Sequence, residues 1–162
     1  MKDNTEICDV VDEFGKPTGK VVTRGTKLGT GDYYLVVHVW ISDEDNHYLI
    51  QQRAFHLASS PGVWATTVGY VIANEESIDG AIREVKEELN VELLRTHLKR
   101  VDRHVLDNRV EDVWVAELPR ESIATPIPGE DVAKYRWVSR NELEHMVNQG
   151  MFFRYSYHGK FF

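Results

Sequence analysis

Three glutamates in the middle of the chain have the spacing of a metal-binding set. Glu84, Glu87 and Glu88 stand at positions i, i+3 and i+4, so in a helix they lie close together on one stripe of its surface. Like charges at this spacing repel each other, and a bound cation would remove that repulsion. Carboxylate oxygens suit a hard ion such as Mg²⁺ or Mn²⁺. The spacing favours a divalent-cation site, and a solvated acidic helix face is the alternative.

The residues around these glutamates predict the helix that would carry them. Apolar side chains recur with helical spacing, roughly opposite the glutamates; they are Ile78, Ala81, Ile82, Val85 and Leu89. Ser77 is the predicted N-cap. Asn90 directly follows the last apolar residue and is predicted to adopt the left-handed conformation that ends many helices.

A glycine and a fourth glutamate stand at fixed distances before the helix. Gly69 is followed after five residues by Glu75, and after seven more by a charged run. That run reads Arg83-Glu84-Val85-Lys86-Glu87-Glu88-Leu89-Asn90-Val91. The pattern resembles the Nudix box, in which a glycine and a glutamate precede Arg-Glu-apolar-x-Glu-Glu-x-Gly-apolar. Eight specified positions match at these gaps, and only Asn90 departs, where glycine is usual.

The resemblance implies the Nudix fold, an α/β/α sandwich around a mixed β-sheet, for a core of about residues 33–150. Strand-like runs are predicted at residues 33–42, 47–53, 64–72, 98–105, 110–118 and 132–138. The run at 47–53 is expected to pair back along the run at 33–42, and the runs at 98–105 and 110–118 to form a hairpin. Residues 6–11 and 20–22 predict an N-terminal hairpin, with residues 12–19 as its turn. A capping box at Ser139 and Glu142 opens a second helix. The chain contains no repeat or linker, so residues 1–162 are interpreted as one domain.

The composition is that of a soluble globular protein, and its charge restricts the partners. Lys plus Arg total 19 and Asp plus Glu total 26, which gives a net charge of −7. Nucleic-acid surfaces need clustered positive charge, so nucleic acid is not an expected partner. An anionic phosphate substrate would also be repelled by the bare protein. A bound cation is therefore needed on electrostatic grounds as well.

The cysteine content and the apolar runs indicate the compartment. Cys8 is the only cysteine, so an intrachain disulfide is excluded and a reducing cytosol is compatible. The first six residues lack the apolar stretch of a signal peptide, and the longest apolar run, residues 33–41, is too short to span a bilayer. We expect a cytoplasmic protein without a membrane partner. Nudix proteins often form homodimers, so a homodimer is possible.

Nudix enzymes hydrolyse a nucleoside diphosphate linked to another group, and they use divalent cations. The resemblance therefore implies a small-molecule phosphoanhydride substrate and Mg²⁺ or Mn²⁺ held by Glu84, Glu87 and Glu88. The Gly69 carbonyl is a further expected ligand, because a residue without Cβ lets its backbone come close. Arg83 is expected to orient a carboxylate such as Glu75 through a bidentate pair.

Two further assignments stay open in the sequence. Glu88 is one candidate general base, and Glu111 in a late strand is another, unless it is only an exposed strand-edge glutamate. Asp112 faces the opposite side of that strand and is a weaker candidate. Arg53 at a strand end could bind a substrate phosphate or form a salt bridge. No histidine pair has the spacing of a zinc site, and His38 is interpreted as a packed residue.

The flanking segments resemble Nudix proteins related to isopentenyl-diphosphate isomerase, which moves a double bond by protonation. The segments are residues 6–15, 18–19, 51–53 and 61–64. The isomerase needs a cysteine before the box glycine and nearby histidines, but Val68 stands at the cysteine position. Tyr70 and Tyr34 stand at histidine positions. Because valine cannot transfer a proton, a hydrolase from the isomerase-like branch is favoured.

A non-enzymatic function and the role of the C-terminal aromatic residues were also considered. A Nudix-fold binding module is the non-enzymatic alternative, but such modules tend to lose box glutamates and this chain retains them. Aromatic residues crowd the C-terminus and are expected to fold over the core, with base stacking or a dimer contact as alternatives. They are Phe152, Phe153, Tyr155, Tyr157, Phe161 and Phe162.

Overall fold

The chain begins with an antiparallel hairpin, as the sequence predicted. The computed structural model describes residues 5–160, and in it β1 (Ile7–Val11) pairs with β2 (Pro17–Thr23). Pro17 was expected in the turn but is the first residue of β2, a position that tolerates proline. Residues 1–4, which bear on the absence of a signal peptide, lie outside the described range, as do Phe161 and Phe162.

The main sheet is mixed and is organised around β3 (Tyr34–Ser42). Every residue of β3 is buried, as expected for a strand that is covered on both faces. β8 (Arg109–Glu117) runs parallel to β3, and β6 (Thr67–Tyr70) runs antiparallel to it. β7 (Lys99–Leu106) forms the predicted hairpin with β8. These four strands make the continuous part of the sheet.

The other part of the sheet is built on β4 (Tyr48–Arg53), which lies between β5 (Trp64–Ala65) and β9 (Val132–Val138). The sequence predicted that β4 would pair back along β3, and this is wrong over most of its length. The paired residues of β3 and β4 are Ser42 and Tyr48, beside the connecting turn. From there the two strands diverge.

The segment after β5 fills the space between the diverging strands. The sequence predicted one extended run over residues 64–72, but the structure divides it into β5 and β6, joined by Thr66. β5 pairs with β4 and β6 pairs with β3. The sheet is therefore split beside β6, and side chains from both of its faces meet at this point.

Helices cover both faces of the sheet and complete the predicted α/β/α sandwich. α1 (Ser77–Leu89) packs Ala81, Val85 and Leu89 against one face. α2 (Arg140–Asn148) packs Leu143, Met146 and Val147 against the other. Among the described residues, 5–160, no helix combines the length and hydropathy that crossing a membrane would require.

The two ends of α1 differ in how well the sequence predicted them. Asn90 has φ 54° and its N–H donates to the Lys86 carbonyl at 2.9 Å, so the left-handed cap is confirmed. The N-cap is Glu76, so the assignment of Ser77 was wrong. The Ser77 hydroxyl instead donates to the buried carboxylate of Asp112. Because a buried carboxylate needs hydrogen-bond donors, the Ser77 hydroxyl bonds to Asp112 and does not cap the helix.

The capping box of α2 is confirmed. The Glu142 N–H donates to Ser139 Oγ at 3.2 Å, and the Ser139 N–H donates to Glu142 Oε2 at 2.7 Å. These reciprocal bonds satisfy two of the donors that a helix start leaves without partners, which fixes where α2 begins.

Replacing the left-handed cap residue predicts a measurable change in stability. Asn90→Ala should lower the free energy of unfolding by about 1 kcal/mol, because alanine adopts positive φ at a steric cost. Asn90→Gly should be as stable as the original protein or more stable, because glycine has no such cost. Urea denaturation of the three proteins measures the difference. Equal stability of the alanine and glycine variants would contradict this role of Asn90.

Candidate active site

At Gly69 the backbone of β6 lies in close contact with the Glu84 side chain of α1. The carboxyl group of Glu84 lies where a side chain on Gly69 would begin, so a Cβ at this position would overlap it. Glu84 is only 1% exposed. Glycine is therefore required here by space, not by backbone conformation, and it brings the backbone of β6 against a carboxylate of the helix.

Arg83 links the carboxylates of the acidic stripe. Its Nη1 donates to Glu84 Oε1 at 2.9 Å and to Glu87 Oε1 at 3.2 Å. Its Nε and Nη2 donate to the two oxygens of Glu75 at 2.9 and 3.0 Å, and Nη2 also donates to the Tyr70 carbonyl at 2.8 Å. Burial opposes the charge of Arg83, but the bonds and charges of Glu75 and Glu87 outweigh it and raise the pKa of the guanidinium.

The loop before α1 is fixed by Glu75 and by the N-terminal hairpin. The Ile72 N–H donates to Glu75 Oε2 at 3.1 Å. Asn74 has φ 64°, and its N–H donates to Asp9 Oδ2 at 2.8 Å. The Ala73 N–H donates to a β1 carbonyl at 2.7 Å. Asn74 thus supports a left-handed turn, a conformation that asparagine tolerates better than most residues do.

Glu88 lies one turn beyond Glu84 and meets β4. The Gln51 amide donates from Nε2 to Glu88 Oε2 at 2.6 Å. Glu88 is 8% exposed and Gln51 is 4% exposed. A neutral amide on β4 therefore donates a hydrogen bond to the Glu88 carboxylate.

A cavity of about 400 Å³ adjoins Glu88 and extends along the sheet face opposite α1. Its wall includes Glu88 and Gln51 together with His38 and Val68 from the opposite face, so the cavity passes the split in the sheet. The C-terminal segment from Phe153 to Ser156, the loop after β4, and Leu106 and Arg109 at the hairpin of β7 and β8 contribute further walls.

Glu111 is buried, so the interpretation of an exposed strand-edge glutamate is wrong. It is 2% exposed and lines the cavity. Arg109 Nε donates to it at 2.6 Å, and His104 Nε2 lies 2.9 Å from its other oxygen. The central position of β8 explains this burial, because two strands flank it and the C-terminal segment covers it.

Asp112 lies on the face of β8 that α1 covers, away from the cavity wall. It is fully buried, and Arg103 donates to its two oxygens at 2.6 and 2.7 Å. With the Ser77 hydroxyl also bonded to it, Asp112 is held in a structural network between β7, β8 and the start of α1.

His38 is packed, as the sequence indicated, and burial keeps it neutral. Its Nδ1 lies 2.8 Å from the Tyr157 hydroxyl, and its Nε2 lies 3.8 Å from Glu111 Oε2. Burial lowers the pKa of His38 to about 4, although the negative charge of Glu111 opposes the shift. Tyr157 also accepts a hydrogen bond from Trp40 Nε1 at 3.1 Å. Phe152, Tyr155 and Tyr157 are buried, so this part of the C-terminal segment does fold over the core.

Arg53 lines the cavity, and it forms no salt bridge within residues 5–160. Its Nε and Nη2 donate to the Ser59 carbonyl at 3.1 and 2.8 Å, which closes the loop after β4. Val68 and Tyr70, at the isomerase's catalytic positions, also line the cavity. Tyr34 packs edge-on against Tyr70, with ring centroids 5.4 Å apart.

The oxygen donors of the acidic stripe suit a hard cation, although the three carboxylates do not converge on one point in this structure. Among residues 5–160 no cluster of three or more candidate ligand side chains is already arranged for a metal. Two of the three carboxylates nevertheless converge on a single positive group, the Arg83 guanidinium. Oxygen-only donors beside a glycine backbone therefore fit Mg²⁺ or Mn²⁺.

Three residues of the site were not identified from the sequence. Gln51 alternates with buried Leu49 along β4, so its position facing α1 was available as a signal. Arg109 and His104 both contact Glu111, and these contacts depend on the register of β7 and β8. That register is a tertiary feature without a local signal.

The contact between Gly69 and Glu84 predicts a large effect for a small change. Gly69→Ala must displace a buried carboxylate from Arg83, which should lower the free energy of unfolding by about 3 kcal/mol. Gly29→Ala is the matched control, because its added Cβ would meet only Asp32 Oδ2 at 3.7 Å, an ordinary contact. Chemical denaturation should find the control within about 0.5 kcal/mol of the original protein. Equal effects of the two substitutions would refute this packing.

The neutral state of His38 predicts part of the response to acid. The unfolded chain takes up this proton near pH 6.5 and the folded chain only near pH 4. Falling pH therefore favours unfolding, by about 3 kcal/mol between pH 7 and pH 4. In His38→Gln that contribution should disappear from the difference between denaturation curves at the two pH values. The same loss of stability in both proteins would show that His38 does not contribute it.

Comparison with known proteins agrees with this geometry. The family model described as the NUDIX domain matches residues 32–155. A Nudix hydrolase of Listeria monocytogenes, lmo0368, is 30% identical over 158 residues, which cover 97% of this chain and 94% of the relative. An isopentenyl-diphosphate Delta-isomerase of Dinoroseobacter shibae is 32% identical over 109 residues, covering 62% of this chain and 61% of the isomerase.

The fold is similar to that of a solved structure over almost its whole length. The crystal structure of DR0079 from Deinococcus radiodurans superposes with a TM-score of 0.73 at 20% identity and covers 93% of each chain. Since the family model spans the sheet, α1 and the cavity-forming segments, the chain belongs to the Nudix hydrolase family.

Proposed function

We propose that this protein uses Mg²⁺ or Mn²⁺ to hydrolyse a phosphoanhydride bond in a nucleotide. The substrate is a nucleoside di- or triphosphate, or a nucleoside diphosphate linked to another group. Nudix hydrolases generally cleave pyrophosphate bonds of small molecules with divalent cations. The observation that carries the proposal is that the complete acidic stripe of α1 adjoins a cavity of about 400 Å³ through Glu88.

Electrostatics support the need for a cation. The net charge of −7 and the acidic stripe would repel a pyrophosphate that approached alone. A divalent cation bound there would neutralise the phosphate oxygens and lower the pKa of water. We assign Glu84, Glu87 and Glu88 as its side-chain ligands and the Gly69 carbonyl as a backbone ligand.

Arg83 and Glu75 act as positioning residues in this proposal. Arg83 holds two of the ligands and the Tyr70 carbonyl at the same time, so it aligns α1 with β6. Glu75 fixes the other edge of the guanidinium through two bonds. A planar guanidinium suits this task because its donors have a fixed geometry.

Glu88 is the better general base of the two carboxylates in the cavity wall. Glu88 belongs to the acidic stripe that would hold the cation, and it lies in the cavity wall beside the amide of Gln51. Glu111 lies on the opposite sheet face, where Arg109 donates to it and His104 contacts it. We therefore assign proton removal from water to Glu88 and the orientation of Arg109 to Glu111.

The remaining cavity wall suits a phosphate joined to a less polar group. Arg53, Arg109 and Arg154 supply positive charge for phosphate oxygens. Leu106 and Phe153 supply apolar surface for the rest of the substrate. In this proposal Arg53 binds a substrate phosphate while it keeps the loop after β4 closed.

The similarity to isopentenyl-diphosphate isomerases makes isomerase activity the second candidate. Val68 and Tyr70 disfavour it. Both line the cavity at the positions of the catalytic cysteine and a histidine ligand, and neither side chain can perform the function of the residue that it replaces. A nucleotide-binding module without turnover is the third candidate, and the complete glutamate set disfavours it.

Glu87→Gln tests the proposal while leaving the buried core unchanged. Because Glu87 is a proposed ligand with a 43% exposed side chain, the substitution should reduce turnover by at least about a hundredfold without loss of folding. Glu92→Gln is the matched control, because Glu92 is 82% exposed and pairs only with Lys86 among its described ion-pair contacts. Cleavage products, which are phosphate esters as well as free phosphate or pyrophosphate, should be measured with Mg²⁺ and a panel of nucleoside di- and triphosphates, nucleotide sugars, dinucleotides, ADP-ribose and isopentenyl diphosphate.

The same panel separates the three candidates. Nucleotide hydrolysis that Glu87→Gln abolishes and Glu92→Gln retains would support the proposal. Isomerised isopentenyl diphosphate without phosphate release would rule in favour of the isomerase. Tight nucleotide binding without any product, or undiminished turnover in Glu87→Gln, would refute hydrolysis at this site.

A further inference from the structure

Gln51 is a buried polar residue in the cavity wall with one side-chain atom unsatisfied. It is 4% exposed, and its Nε2 is bonded to Glu88. Its Oε1 is buried and has no hydrogen-bond partner within residues 5–160. An amide oxygen in this position costs free energy unless a donor satisfies it. Because Gln51 also lies in the cavity wall, its unsatisfied oxygen is suited to accept a hydrogen bond from a molecule that binds there.

The orientation of the amide follows from its neighbour. If the group were turned over, Oε1 would face the carboxylate of Glu88 at 2.6 Å, and two acceptors would repel each other. The nitrogen must face Glu88, so the oxygen faces away from it. Both residues line the same cavity, so the buried oxygen belongs to a side chain that borders the space a bound molecule would occupy.

We propose that Gln51 belongs to the cation site, where its Oε1 accepts a hydrogen bond from a water of the bound cation's hydration shell. This inference rests on the proposed cation site of the acidic stripe. Mg²⁺ and Mn²⁺ keep waters when a protein supplies few ligands, and such waters donate hydrogen bonds but do not readily accept them. An amide oxygen one hydrogen bond away from a carboxylate ligand suits such a water.

Gln51 thus acts in two ways at the cation site. Its nitrogen orients Glu88, and its oxygen holds a water on the same cation. Removing residues that orient ligands or their waters typically lowers metal affinity by about 10- to 100-fold. A purely structural glutamine would instead affect folding stability without a specific effect on cation affinity.

The neighbouring glutamine is a matched control. Gln52 Nε2 donates to the Gly62 carbonyl at 2.9 Å, and its Oε1 is also buried without a hydrogen-bond partner in the described chain. Gln52 is not part of the cavity wall. It therefore has the same chemistry and the same strand, but no access to the cation.

Mn²⁺ titration followed by electron paramagnetic resonance tests the inference without substrate. Gln51→Leu should weaken Mn²⁺ binding by about tenfold, whereas Gln52→Leu should bind as the original protein does. Gln51→Asn retains an amide donor and an amide acceptor on a side chain shorter by one carbon. It should therefore weaken Mn²⁺ binding less than Gln51→Leu does, and its melting temperature should rise more than that of Gln51→Leu when Mn²⁺ is added.

The outcomes distinguish this inference from the proposed function. If the original protein binds Mn²⁺ and both Gln51 variants bind it equally well, the role of Gln51 is refuted and the cation site stands. Equal weakening by Gln51→Leu and Gln52→Leu would also refute it, as a structural effect. If the original protein itself does not bind Mn²⁺, the proposed cation site fails.

Discussion

A charged group that is almost fully buried must be paired, and Glu84 imposes this condition at the centre of the molecule. Its carboxyl group fills the space beside Gly69, and Arg83 supplies the opposite charge. Arg83 is in turn aligned by Glu75 and by the carbonyl of Tyr70. One ion-pair network therefore sets the register of α1 against β6. It places the acidic stripe beside the split in the sheet.

The split in the sheet gives two carboxylates different environments within one cavity. Glu88 comes from the helix side and meets the neutral amide of Gln51, whereas Glu111 comes from the opposite face and meets Arg109. In the proposed mechanism one removes a proton and the other orients a cationic side chain toward the substrate.

Local patterns in the sequence predicted the elements that depend on neighbouring residues. The end of α1 at Asn90 and the capping box at Ser139 follow from local spacing. The pair between Arg83 and Glu75 was expected from the complementary shape and charge of a guanidinium and a carboxylate within the resemblance to the Nudix box. Ser77 was misassigned because a buried carboxylate distant in sequence takes its hydroxyl. Long-range pairing carried no such signal.

Strand partners and burial were the features that the sequence could not specify. The divergence of β3 and β4 depends on which edges β5 and β6 select, and these choices are made by tertiary packing. The burial of Glu111 follows from the strands beside β8, and the same alternation would fit an exposed edge. The unsatisfied oxygen of Gln51 is visible only once α1 and β4 are placed together.

Anomalous diffraction from crystals soaked in Mn²⁺ is the most direct measurement of the central claim, which is that the stripe on α1 binds a divalent cation. A manganese peak is expected at roughly 2.0–2.4 Å from carboxylate oxygens of Glu84, Glu87 and Glu88, distances typical of small hard cations. A stripe without a peak, with Arg83 still bridging Glu84 and Glu87, would contradict it. The three glutamates would then be members of a structural salt-bridge network.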